Sequence, residues 1–142
     1  MSVGLQIRAN IFELNMQLEI NDMMNIGSLQ YEFNKLFPYL KLEFYEKDHA
    51  NNKKVIPKNI YNNSRLLKEF IVSRNHPQFI IAPEMTVQQL AESFAKYYSL
   101  ITKVFRRSGN VWLSTSVTDG WSLYEQNKQG ELITAQMSDN RL

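Results

Sequence analysis

The sequence predicts an α+β fold: a two-layer sandwich in which two principal helices lie on one face of a mixed or antiparallel sheet of about five strands. Two observations carry this. A capped amphipathic helix occurs twice at an offset of 61, Met24 to Phe37 over Met85 to Tyr98. Each copy is also flanked by short apolar runs that read as strands, giving a doubled β-α-β unit. The arrangement is ferredoxin-like in outline, with a β-grasp-like second half (strand, helix, two strands) as the alternative.

The helices follow from their side chains. Asn25 and Thr86 are good N-caps, because a side-chain oxygen accepts from an orphan N–H of the first turn. Thr86 with Gln89 completes a capping box, and Met24/Leu29 and Met85/Leu90 occupy the two positions of a hydrophobic staple. Apolar residues then fall at 26, 29, 33, 36 and 37 and at 87, 90, 94, 97 and 98, one stripe on each helix. Gene duplication explains the match; shared capping chemistry in unrelated helices is the other explanation.

In chain order, residues 3–11 and 14–20 alternate in period two but in opposite phase, which requires a break near Phe12–Glu13. The first unit spans 14–46, with Pro38 ending its helix and Leu40, Leu42 and Phe44 alternating with Lys41, Glu43 and Tyr45. Residues 47–76 form an insertion with a short helix around Leu66–Ile71, capped by Asn63 or Ser64. The second unit spans 77–130. It adds a hairpin turning at Gly109 and a short helix at 123–129, opened by Ser122 and closed by Gly130. Residues 131–142 are polar and read as a frayed tail.

A chain of 142 residues with 44% hydrophobic content forms a single domain with a real core. It contains no cysteine, so disulfides, thiolate catalysis and Cys-ligated metals are excluded. No apolar run approaches the ~18 residues of a membrane-spanning helix. The N-terminal residues lack a secretory pattern, and a cytoplasmic address is expected. The net charge of +2 does not argue for nucleic acid, but its distribution is uneven. Segment 47–76 carries seven basic residues against two acids, a net of +5, leaving −3 for the remainder.

Met85-Thr86-Val87, Leu90 and Phe94, then Val104-Phe105-Arg106-x-Ser108-Gly109-x-x-Trp112-Leu113, then Thr118-Asp119-x-Trp121 through Gly130 make a distinctive set. With Ile26-Gly27-x-Leu29-Gln30 and Phe37-Pro38-Tyr39-Leu40, they resemble a family of small uncharacterised bacterial proteins, mainly from Bacteroidetes. The likeness touches most of residues 20–130. The family has no established activity, so the resemblance implies a free-standing bacterial protein and supplies no catalytic residue.

The chemistry-bearing motifs are sparse. His49 and His76 lie in polar segments without ligand spacing. No nucleophile elbow, Walker loop or dinucleotide fingerprint occurs, and Glu43 and Glu46 point to opposite faces of a strand. No catalytic residue, metal or cofactor is expected. The suggestive group is basic and aromatic: Lys103, Phe105 and Arg107 on one strand face, Trp112 on the next strand, and Arg106 adding charge nearby. Such a face suits single-stranded nucleic acid or a peptide. The competing reading packs Phe105 and Trp112 under the insertion or against a second subunit. Trp121, beside Asp119, Ser122 and Asn127, either closes a core edge or lines a small polar pocket. The expectation is a non-enzymatic protein-interaction module, homo-oligomeric through a sheet face or edge, with single-stranded RNA or DNA binding as the alternative.

Overall fold

The computed structural model describes residues 16–48, 56–60, 62–72 and 78–139. In chain order it comprises β1 (Leu18–Glu19), α1 (Ile26–Leu36), β2 (Leu40–Asp48), β3 (Ile56–Asn59), a 3₁₀ turn (Leu67–Phe70), β4 (Ile80–Ile81), α2 (Val87–Tyr98), β5 (Ile101–Ser108), β6 (Val111–Ser114) and α3 (Leu123–Asp139). The expected strand over 3–11 lies outside the described residues.

The chain is α+β as predicted, but its strands divide between two antiparallel sheets. One has four strands in the order β3-β2-β5-β6; the other pairs only β1 with β4. Among the described residues the strands flanking each helix therefore fall in different sheets, in place of the single sheet of about five strands that was expected. Period-two alternation marks a strand but not its partner, because every strand edge presents the same backbone groups.

The way each helix begins is the same in both halves. In α1, Ile26 N–H donates to Arg65 O (2.9 Å) and Gly27 N–H to Asn63 O (2.8 Å). In α2, Val87 N–H donates to Trp121 O (3.3 Å) and Gln88 N–H to Asp119 O (2.9 Å). The next donor meets the cap: Ser28 N–H to Asn25 Oδ1 at 2.7 Å, and Gln89 N–H to Thr86 Oγ1 at 3.1 Å. Three orphan donors of each helix start are thus bonded. Each returning segment is held in turn, since Leu67 N–H donates to Met24 O and Leu123 N–H to Met85 O.

The core lies between the helices and the even-numbered face of the four-stranded sheet. Leu40, Leu42 and Phe44 of β2 and Val104 of β5 are buried there beneath Ile26, Leu29 and Phe33 of α1 and Val87, Leu90 and Phe94 of α2. Phe94 joins the halves, with its ring edge-on to Phe44 at 4.9 Å and to Phe79 at 5.1 Å. Tyr98, at the end of α2, donates its hydroxyl to Asp22 Oδ1 at 2.8 Å.

A third helix lies against the same face, where a short helix and a frayed tail were expected. α3 runs through Gly130 to Asp139. Its sequence hides this because it docks through polar and small residues, with no apolar stripe. Asn127 Oδ1 accepts from Tyr39 N–H at 2.8 Å, and Thr134 Oγ1 accepts from Gly109 N–H at 3.1 Å. Gly130 is buried mid-helix, not a C-terminal cap. A Cβ there would stand 2.8 Å from Tyr39 Cβ, 3.1 Å from Arg106 Cγ and 3.2 Å from Arg107 O. The helix approaches β5 this closely because Gly130 has no side chain.

Two predictions follow from the packing. Gly130→Ala is expected to destabilise the fold by about 1–3 kcal/mol through overpacking. Gly120→Ala, where a Cβ meets nothing within 4 Å, is expected to be nearly neutral. Thermal denaturation of the two variants decides this. The second concerns alkaline pH. Burial, then the hydrogen bond to Asp22 and its charge, push the Tyr98 hydroxyl well above the ordinary phenol range. A raised folded-state value gives stability that is full below the unfolded value of about 10 and is lost as pH rises past it. Urea denaturation at pH steps through that range should show a steeper loss for the wild type than for Tyr98→Phe.

Candidate functional site: the uncovered face of the sheet

Helices cover the even-numbered face of the four-stranded sheet; no described element covers the other. The register decides what stands there. Lys41 is opposite Phe105, Glu43 opposite Lys103, Tyr45 opposite Ile101, and Arg107 opposite Trp112. In a pleated ladder, directly opposite residues point to the same side. Lys103, Phe105, Arg107 and Trp112 therefore share one surface, as the sequence reading expected, and β2 adds Lys41, Glu43 and Tyr45 to it.

This surface is a set of cation–ring contacts. Lys41 Nζ lies 5.4 Å from the centroid of Phe105 and 5.1 Å from that of Trp112. Lys103 Nζ lies 4.8 Å from the ring of Tyr45. All three distances fall within the reach of cation–π attraction. Glu43 ties the group together: its carboxylate is 3.5 Å from Lys41 Nζ and accepts from Tyr45 Oη at 2.7 Å. Arg107 Nε donates to Gly109 O at 2.9 Å, holding that side chain along the hairpin. Three cations thus surround one carboxylate and three aromatic rings. Phe105 and Trp112 are half-buried under Lys41. They do not lie beneath the described part of the insertion. That part pairs β3 with the far edge of β2 and sends Leu67 into the core.

Arg106 and Trp121 belong elsewhere. Arg106 is even-numbered and faces the helices. Its Nη1 donates to Gln126 Oε1 at 2.8 Å, and its guanidinium lies 5.6 Å from the Trp121 ring. The charge that Arg106 was expected to add near the basic–aromatic face lies on the other side of the sheet, because alternation sends neighbours on a strand to opposite sides. Trp121 lies against Arg106 and is 41% exposed. The first half places an ion pair at the corresponding spot, Arg65 Nη1 to Glu46 Oε1 at 3.1 Å.

His49 and His76 lie outside the described residues. Among the described residues no group of three or more His, Asp or Glu side chains is placed to hold a metal ion. Nor is any helix there long and apolar enough to cross a membrane. The residues of β2 that sequence reasoning left out of the site carried a signal in their alternation, Lys41, Glu43 and Tyr45 on odd positions. What was missing was the pairing of β2 with β5. Comparison with protein-family models, curated proteins and solved structures finds no match to this chain.

Lys41 covers two rings without entering the core, so Lys41→Ala should cost no more than about 1 kcal/mol of stability. In a Trp121→Phe background, the same substitution should raise acrylamide quenching of Trp112 fluorescence. Unchanged quenching would mean that Lys41 does not shield the ring in solution.

Proposed function

We propose that this protein is a non-enzymatic interaction module that binds a protein partner, including a second copy of itself, through the uncovered sheet face. The observation that carries this is one layer with two unlike sides. One side holds the core, and the other presents Tyr45, Phe105 and Trp112 among Lys41, Lys103 and Arg107 with no described element over them. Aromatic and arginine side chains are the types that anchor protein interfaces. Lys41 already occupies the ring faces of Phe105 and Trp112. A nucleobase stacking there must displace it, whereas a protein surface offering a carboxylate can engage Lys41 in place.

Single-stranded RNA or DNA is the second reading, favoured by the excess of cations over Glu43 beside stackable rings. The recurrent hydrogen bonds at the two helix starts also support reading the halves as copies of one ancestral unit. The resemblance to small Bacteroidetes-type proteins is compatible with either ligand and adds no activity.

Sedimentation velocity over a concentration series, beside fluorescence anisotropy with a labelled oligouridylate at low and high salt, separates the readings. Reversible self-association lost in Trp112→Glu, without oligonucleotide affinity, is the expected result. Oligonucleotide binding that falls steeply with salt and is lost in Lys103→Ala with Arg107→Ala would establish the second reading instead. A monomer at every concentration with no oligonucleotide affinity would rule out self-association and nucleic-acid binding through this face.

A further inference from the structure

Among the described residues the four-stranded sheet ends in β3 on one side and in β6 on the other. An edge strand offers a row of unpaired N–H and C=O groups, and proteins guard such rows with proline, lysine or a bulge. The two edges here differ in this respect. β3 carries Pro57 and Lys58, both exposed. β6 is Val111-Trp112-Leu113-Ser114, with no proline and no charge.

The register fixes what β6 presents at its outer side. Thr115 N–H donates to Val104 O at 3.3 Å, and the ladder continues with Leu113 opposite Arg106 and Val111 opposite Ser108. Backbone groups alternate along an antiparallel strand, so Val111 and Leu113 turn theirs to β5, and Trp112 and Ser114 turn theirs outward. No described strand meets them there. The side chains of Val111 and Leu113 stand on the helix side of the sheet and are 55% and 45% exposed. Leu113 is thus an exposed apolar side chain between the two outward-turned residues of an uncharged edge.

We propose that β6 pairs with β6 of a second copy, antiparallel about a two-fold axis through Leu113, joining two four-stranded sheets into one. A two-fold interface must be its own complement, and this edge is. Trp112 exchanges both N–H···O bonds with Ser114 of the second copy, and Ser114 does the same with Trp112 of the second copy. Leu113 meets Leu113 across the axis as a non-hydrogen-bonded pair, the arrangement that brings side chains closest. Because β6 carries no charge, the axis sets no like charges of this strand against each other. The match of leucine to leucine selects a second copy over an unrelated extended peptide, which would share only the backbone row. The inference does not rest on the function proposed above: edges joined in this way leave both basic–aromatic faces open, side by side, with Trp112 of each copy near the axis.

The test uses the absence of cysteine from the chain. The thiol of Leu113→Cys has no partner but its counterpart, and Cα atoms about 4.5 Å apart across a non-hydrogen-bonded pair suit a disulfide. Oxidation with glutathione disulfide should give a covalent dimer from Leu113→Cys and none from Tyr31→Cys, an exposed site on α1. Sedimentation velocity of the full chain over a concentration series should show a reversible dimer. Leu113→Lys, which sets two ammonium groups across the axis, should raise the dissociation constant at least about tenfold while keeping the wild-type circular dichroism. Lys103→Glu, on the outer face, should leave that constant unchanged. Equal cross-linking of the two cysteine variants, a monomer at every concentration, or dimerisation undiminished by Leu113→Lys would overturn the proposal. Association lost in Lys103→Glu but kept in Leu113→Lys would put self-association on the sheet face, supporting the function proposed above and overturning this inference.

Discussion

The rest of the structure depends on how its two principal helices begin. A helix leaves its first N–H groups without intrahelical acceptors. Here a side-chain cap supplies one acceptor, and a chain segment returning from the sheet supplies two more from its own backbone. The returning segment comes from residues 63–65 in one half and 119–121 in the other. Each helix start is thereby a junction between the helix, the strand ribbon before it and the end of its own unit. Because the N–H groups there are already bonded, neither terminus is left as an anion site of the kind open helix starts provide.

The same junctions orient the sheet. With both helices anchored at their starts, their apolar stripes fall on the even-numbered residues of β2 and β5, and Phe94 meets Phe44 across the boundary between halves. α3 follows Leu123 into the remaining space over the hairpin end, where Gly130 permits close approach and Asn127, Gln126 and Thr134 supply hydrogen bonds. The helices pack on the even-numbered residues of β2 and β5, and the odd-numbered residues of those strands, with Trp112 of β6, form the surface on the other side.

Differences between the halves then fall where function can. An ion pair in the first half, Arg65 with Glu46, answers to a cation–ring contact in the second, Arg106 with Trp121. In α1, Gln30 and Asn34 donate their side-chain amides to Leu42 O and Leu40 O, where α2 has Ala91 and Ala95. Neither difference disturbs the helix starts, so the two halves share that geometry while their side-chain chemistry differs. The outer face and a cleft beside α2 lie on different sides of β5.

The amino-acid sequence by itself determined the two capped helices, the strands on either side of them, the Gly109 hairpin and the placing of Lys103, Phe105, Arg107 and Trp112 on one face. Each of these rests on local chemistry: a cap, a staple, a period of two or 3.6, a turn residue. Only the tertiary structure decided which strand edges meet. It split β1 and β4 from the main sheet and brought Lys41, Glu43 and Tyr45 beside Phe105 and Trp112. It also turned Arg106 toward Gln126 and carried α3 to Asp139. Backbone edges carry no label in the sequence, and a helix docked by Asn, Gln, Thr and Gly shows no hydrophobic stripe. Those features depend on partners distant in the chain, and they become definite only when the partners are in place.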